Sequence, residues 1–252
     1  MNFFPQLEPR MTESKEKIVG ILGGMGPEAT VDLMQRIIRL TPALDDVDHI
    51  RCIVDNNPKV PSRIKAIIEG DGEDPGPCMA DMGRGLESWG ADFLVIACNT
   101  AHHYYDAVQH AVDVPVINMI GLVSRHVKTH FPDQGVVGIL ASPAVAMTGL
   151  YAKRFKPLGI DDVWPDPDHQ KRLLGIIKAV KKGDTGGRVR SEFAVVCENL
   201  KQRGAGLAII ACTELSALGG TLPIECVDAA EILASEIVRV ATNRKDLCAY
   251  NE

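Results

Sequence analysis

The sequence predicts an α/β protein of two similar domains, each carrying a mostly parallel four-stranded sheet, related by a pseudo-twofold axis with a functional crevice between them. Three observations predict it. Strand-like and helix-like segments alternate from Ile18 to Thr242, three short segments recur in order at nearly constant spacing, and no low-complexity linker interrupts the 252 residues. Alternation of this kind leads to parallel sheets with helical crossovers, and the length suffices for two cores of roughly 100 residues each.

The elements follow in order. Ile18 to Leu22 is a β-branched run that ends in Gly23-Gly24-Met25-Gly26-Pro27, a strand feeding a glycine turn. Pro27 suits a first helical turn, and Val31, Met34, Ile37 and Ile38 recur at helical spacing behind it. His49 to Val54, Phe93 to Ala97, Val114 to Ile117, Val136 to Leu140, Leu207 to Ala211 and Leu222 to Val227 read as further strands. Amphipathic helices are predicted over Pro77 to Trp89, Leu122 to His130, Gln170 to Lys182, Val189 to Gln202 and Ala229 to Thr242.

The duplication is the strongest of the three observations. Val19-Gly20-Ile21-Leu22 matches Val137-Gly138-Ile139-Leu140 at an offset of 118. Gly90 to Cys98 matches Gly204 to Cys212 at 114, and Val114-Pro115-Val116-Ile117 matches Leu222-Pro223-Ile224-Glu225 at 108. One apolar strand matching another means little, but three ordered matches indicate two related halves whose equivalent loops open on a shared crevice. The expected division is a leader over 1–17, a first domain of 18–113 plus 223–252, and a second of 114–222.

Composition narrows the function. A formal net charge of -6 disfavours a broad nucleic-acid or membrane-surface footprint. The longest apolar stretch, Ala205 to Leu218, is broken by Thr213 and Glu214 and is too short to span a bilayer. The leader carries Arg10, Glu13, Lys15, Glu16 and Lys17 in place of an apolar signal region, so cytoplasmic residence is expected. Seven cysteines, at 52, 78, 98, 197, 212, 226 and 248, lack CxxC spacing, and no metal site is expected.

Two of those cysteines occupy equivalent places. Under a pseudo-twofold axis Cys98 and Cys212 stand at equivalent strand ends and face the crevice from opposite sides. Inverting a carbon requires removing a proton from one face and returning one to the other, so two acid/base groups must flank it. A thiol suits this work because its reference pKa near 8.5 leaves a usable thiolate fraction, which local positive potential can raise. Backbone N–H groups of Asn99, Thr100, Thr213 and Glu214 at turn or helix starts supply such potential and can bind a carboxylate.

From Ile18 to Thr242 the chain resembles the aspartate/glutamate racemase superfamily, and within it the aspartate racemases. The motifs are Gly23-Gly24-Met25-Gly26-Pro27, Asn56 to Arg63, Asp71-Gly72-Glu73-Asp74-Pro75, Cys98-Asn99-Thr100-Ala101-His102 and Ala211-Cys212-Thr213-Glu214. The resemblance implies a racemase that interconverts the L and D forms of aspartate, and extends to glutamate, with Cys98 and Cys212 as catalytic pair and no cofactor. It implies that Arg63 and a second-half lysine, Lys181 with Lys182 one position away, hold the distal carboxylate. Met25, Asn57, Ser142, Thr213 and Glu214 join Asn99 and Thr100 as substrate-binding candidates. Glu214 stands where glutamate racemases carry histidine, which favours aspartate, and Ser142-Pro143-Ala144-Val145 replaces a threonine-rich turn. A homodimer is expected from the same resemblance.

Two other readings stay open. Gly24-x-Gly26-x-x-Ala29 after a strand is the start of a dinucleotide fingerprint, as in an NAD-dependent oxidoreductase. A two-lobed protein that only binds an acidic metabolite would keep Arg63 and Lys181 without needing paired thiols. His102 and His103 also invite a Cys-His dyad, against which stands a simple capping or packing role.

Overall fold

The computed structural model describes residues 16–242. The expected leader lies outside the described residues except for Glu16 and Lys17, and Lys17 N–H donates to Ala241 O at 3.0 Å. The first half contains β1 (Val19–Gly23), α1 (Pro27–Leu40), β2 (Cys52–Asn56), α2 (Pro75–Ser88), β3 (Phe93–Ile96), α3 (Tyr105–Gln109) and β4 (Val116–Ile117). Then come α4 (Met119–His130), β5 (Val136–Leu140), α5 (Pro143–Thr148), α6 (Leu150–Phe155), β6 (Asp161–Val163) and α7 (Pro167–Val180). The chain continues through α8 (Gly187–Gln202), β7 (Leu207–Ile210), α9 (Thr213–Ser216), β8 (Glu225–Asp228) and α10 (Ala229–Ala241).

Two four-stranded sheets result, ordered β2-β1-β3-β4 and β6-β5-β7-β8, and every strand pair is parallel. The orders are the same once the second half is overlaid on the first, as the duplication requires. Side-chain contacts repeat too. A Cβ on Gly20 would lie 2.4 Å from Leu94, 2.9 Å from Ala91 and 3.2 Å from Leu86, and one on Gly138 would meet Leu200 and Ala205 at 2.8 and 3.3 Å. Both glycines therefore let an outer helix press onto the sheet, and Ala91 and Ala205 are partners in the sequence repeat.

The sheet pairing corrects the expected domain division. The sequence division puts residues 114–117 in the second domain and 223–227 in the first, but β4 hydrogen-bonds β3 and β8 hydrogen-bonds β7. The connections explain it: only short helical turns and α3 join β3 to β4, and α9 alone lies between β7 and β8. Such short crossovers return beside the strand they left.

Strand alternation divides the interior. Val19, Ile21, Phe93, Val95 and Ile117 face one way, and Val137, Ile139, Leu207, Ile209 and Val227 face them across a common core filled by α1, α4, α6 and α10. Leu22, Leu94 and Ile96 turn outward onto α2 and α3, and Leu140 and Ala208 onto α7 and α8. The shared core holds the two sheets as one body. Within it Arg36, nearly buried, bridges Asp32 (2.7 Å), Asp228 (3.1 Å) and Glu231 (2.7 Å) and so ties α1 to the start of α10.

Among the described residues no helix is long and apolar enough to cross a membrane.

Candidate active site

In each sheet the chain leaves the first strand in one direction and returns on its other side, so the gaps between β1 and β3 and between β5 and β7 are topological switch points. Ligands of open α/β sheets bind outside the carboxyl ends of strands at such points. Ala97 N–H donates to Leu22 O at 3.0 Å and Ala211 N–H to Leu140 O at 2.9 Å, the last ladder bonds of their strands. Cys98 and Cys212 are the next residues, where the backbone leaves the sheet.

Both cysteines line one cavity of about 100 Å³. Met25, Ser62, Arg63, Ile64, Asn99 and Thr100 bound it from the first half, and Ser142, Leu174, Ile177, Lys181, Ala211, Thr213 and Glu214 from the second. Of the residues expected from sequence, all but Asn57 meet here. Asn57 is turned away: its Oδ1 accepts from Lys59 N–H at 3.0 Å and its Nδ2 approaches Cys78 Sγ at 3.7 Å. Its backbone presses on the glycine turn, where Gly24 has φ +85° and a Cβ would fall 2.2 Å from Asn57 C. Asn57 shapes the loop, which explains why an Asx turn stands at this point in the sequence.

The surroundings of Gly26, the glycine that would approach a pyrophosphate, also count against the dinucleotide reading, since a Cβ there would lie 3.4 Å from the Glu214 carboxylate, which repels an anion. A cavity of about 100 Å³ is likewise small beside ordinary cofactor sites of roughly 300 Å³ or more.

Arg63 is built into the wall. Its Nη1 donates to Val60 O (3.2 Å) and Pro61 O (2.9 Å), and its Nη2 to Met25 O (3.2 Å). Three of its five N–H groups are thus used in fixing the guanidinium, leaving the Nε–H and one Nη2–H for an anion. Lys181 caps the C-terminus of α7 one turn beyond Ile177 and two beyond Leu174, so the three share a helix face. Lys182 does not reach the lining. Arg63 and Lys181 stand 118 positions apart, the offset of the first repeat segment, each between the second and third strands of its half.

The charges around the thiols are unequal. Cys212 Sγ–H donates to Glu214 Oε2 at 3.0 Å, and Glu214 Oε1 pairs with Lys181 Nζ at 3.2 Å. Burial pushes the Cys98 thiol above its ordinary value, while Arg63, the Ala101 N–H and Lys181 pull back toward thiolate and Glu214 opposes them. Burial pushes Cys212 well above, and Glu214 adds to it as both a charge and a hydrogen-bond acceptor. Cys98 also raises Cys212, as expected of two groups that would be anionic side by side.

Neighbouring side chains fix the floor. Thr100 Oγ1 and Ser142 Oγ lie 3.2 Å apart and join the loop after β3 of the first half to the loop after β5 of the second. Tyr151, fully buried on α6, donates its OH to Asn99 Oδ1 at 2.8 Å, which orients the amide. Asn99 Nδ2 has no protein acceptor among the described residues. Tyr151 was not foreseen, because a tyrosine among helical apolar residues reads as core until its phenol is seen to cross to the other half.

His102 proves structural. Its Nε2 accepts from Met119 N–H at 3.1 Å, so Nδ1 carries the proton and donates to Cys98 O at 2.8 Å. Burial pushes it down to about 4, which keeps it neutral. It reaches the cysteine's carbonyl and leaves the thiol alone. Four residues after Cys212, Ser216 Oγ donates to Asp228 Oδ1 at 3.0 Å, so in each half the turn behind the cysteine is braced to the start of the following helix.

Against known proteins, the model of the Asp/Glu/hydantoin racemase family matches residues 22–237. The chain belongs to this family. It is 32% identical to the structure of Picrophilus torridus aspartate racemase, with a TM-score of 0.80 over 89% of this chain and 94% of that one. It is 27% identical over 205 residues to the broad specificity amino-acid racemase RacX of Bacillus subtilis strain 168, covering 80% of this chain and 87% of that protein. The glutamate racemase isoform RacE1 of Bacillus anthracis shares the fold at 19% identity and a TM-score of 0.62, over 92% of this chain and 83% of that one.

Proposed function

We propose that this family member is a cofactor-independent amino-acid racemase acting on aspartate, and on glutamate as a longer acidic substrate, with Cys98 and Cys212 as its two bases. The observation that carries the reading is that two thiols from equivalent strand ends share one small cavity with a fixed arginine and a lysine. The substrate's distal carboxylate takes the open N–H groups of Arg63 and the Lys181 ammonium, a fork and a point charge that neutral side chains cannot exploit. Its α-carboxylate meets Asn99 Nδ2 and the backbone N–H groups that open the turns after each cysteine. One thiolate removes the α-proton, and the opposite thiol returns a proton to the other face. The thiols supply both proton transfers, so the reading requires neither pyridoxal phosphate nor a metal.

The test is polarimetry or circular dichroism on a panel of L-amino acids. L-aspartate should lose its optical signal and yield the D form, and Cys98→Ser and Cys212→Ser should each abolish the loss. Binding of L-aspartate without any inversion would select the two-lobed binding protein.

A further inference from the structure

The pseudo-symmetry of the cavity is broken at one charged position. Cys98 corresponds to Cys212 at an offset of 114, and by the same offset Thr100 corresponds to Glu214. Thr100 is neutral, and its hydroxyl lies 3.2 Å from Ser142 Oγ. Glu214 is an anion, 10% exposed at its side chain, with one oxygen 3.0 Å from the Cys212 sulfur and the other 3.2 Å from Lys181. A Cβ on Gly26 would lie 3.4 Å from Glu214 Oε1, so the carboxylate sits against the glycine turn.

We propose that Glu214 is a positioning residue that sets the order of ionisation in the catalytic pair, holding Cys212 as the thiol so that Cys98 is the first of the two to become thiolate. The inference rests on the two-thiol reading above. Its argument is geometric. A carboxylate that accepts a hydrogen bond from a thiol stabilises the protonated form, and loss of that proton would leave two anions about 3 Å apart. The same carboxylate pairs with Lys181, so that ammonium is partly neutralised and stabilises a Cys212 thiolate less. Cys98 faces a different balance: burial opposes its ionisation, but it lines the same wall as the Arg63 guanidinium, whose charge favours the thiolate. The titratable and charged groups facing the two sulfurs in the cavity are Arg63, Lys181 and Glu214.

The ionised form of the free enzyme then serves mainly one enantiomer, the one whose α-hydrogen faces Cys98. After a turnover in that direction the proton sits on Cys98 and Cys212 is the thiolate, and return to rest moves one proton from Cys98 to Cys212 through solvent. Enantiomers have an equilibrium constant of one, so kcat/KM is equal in both directions whatever Glu214 does. The asymmetry therefore has to be read from the thiols of the free enzyme.

The experiment is alkylation of the substrate-free protein with iodoacetamide between pH 6.5 and 9, the rate at each cysteine followed by peptide mass spectrometry. Cys212 is the more exposed of the two sulfur residues, so accessibility alone favours Cys212, and the proposal requires Cys98 to react faster. In Glu214→Gln the Cys212 rate should rise at least tenfold at pH 7, equivalent to a profile moved down by one pH unit or more, while Cys98 changes less than threefold. Glu214→Asp, which keeps the charge, should stay near wild type, and thermal unfolding identifies any variant that has merely lost its fold. Faster labelling of Cys212 than Cys98 in the wild type, or an unchanged Cys212 profile in a folded Glu214→Gln, overturns the proposal. Because no substrate is present, this result is independent of whether L-aspartate is racemised, so failure of the resting assignment and failure of the racemase reading are told apart.

Discussion

Replacing Tyr151 by Phe removes one oxygen from a fully buried side chain on α6, and its consequences can be worked out from two atoms of Asn99. The phenol donates to Asn99 Oδ1 at 2.8 Å, and burial pushes its pKa far up, so it keeps its proton throughout the working range. Without it Oδ1 becomes a buried acceptor with no donor, which costs about 2 kcal/mol. For a chain of this size that lowers Tm by roughly 4–8 °C. The second consequence is catalytic. The amide loses the bond that distinguishes its two ends, so Nδ2 no longer holds its orientation toward the substrate. A hydrogen bond to a charged carboxylate is worth about 1.5 kcal/mol or more, so kcat/KM for aspartate should fall roughly tenfold. The assays are a thermal melt and initial rates of inversion by circular dichroism. A folded Tyr151→Phe with lowered Tm but kcat/KM within twofold of wild type would refute the assignment of Asn99 Nδ2 as a substrate donor. Unchanged Tm would refute the hydrogen bond itself.

Two further outcomes follow from the same geometry. Lys181→Ala should lower kcat/KM for aspartate by roughly tenfold or more through loss of a charge-assisted contact, while Lys182→Ala, one residue on and outside the cavity, should stay within twofold; steady-state kinetics on both decides which lysine serves the site. Arg36→Met should cost about 3 kcal/mol at pH 7, because Asp228 keeps a buried charge without its cation. Burial already raises Asp228 above its ordinary value, against the pull of Arg36, and a carboxyl with a folded pKa above its unfolded one gains relative stability as pH falls through its folded pKa. The deficit between variant and wild type in urea unfolding should therefore shrink toward pH 4.

Most of the fold was legible because buried parallel strands are continuous apolar runs, and β1, β3, β5 and β7 were found nearly to the residue. The edge strand β6, Asp-Asp-Val, was missed, since a short strand half exposed at the rim of a sheet carries too few apolar residues to be seen. The helices α3, α5, α6 and α9 are not legible because of their length: with five, six, six and four residues they show no period. The division into domains went wrong at β4 and β8, where the repeat located both strands and said nothing about which neighbour each would pair with. In the site, Cys98, Cys212, Arg63 and Lys181 came from motif and repeat. The Glu214–Lys181 ion pair and the Tyr151–Asn99 hydrogen bond did not, because both join residues that only folding brings together.

The central claim is that the two sulfurs address opposite faces of one carbon, and solvent deuterium tests it most directly. L-aspartate is turned over in deuterium oxide for less than a tenth of its course, and both enantiomers are separated and analysed by mass spectrometry. Opposed thiols predict D-aspartate carrying deuterium at its α-position in nearly every molecule, while the recovered L-aspartate still carries its original hydrogen. Transfer of the substrate's own hydrogen into the product, or deuterium appearing in recovered L-aspartate ahead of inversion, would mean that one group serves both faces and would contradict the account.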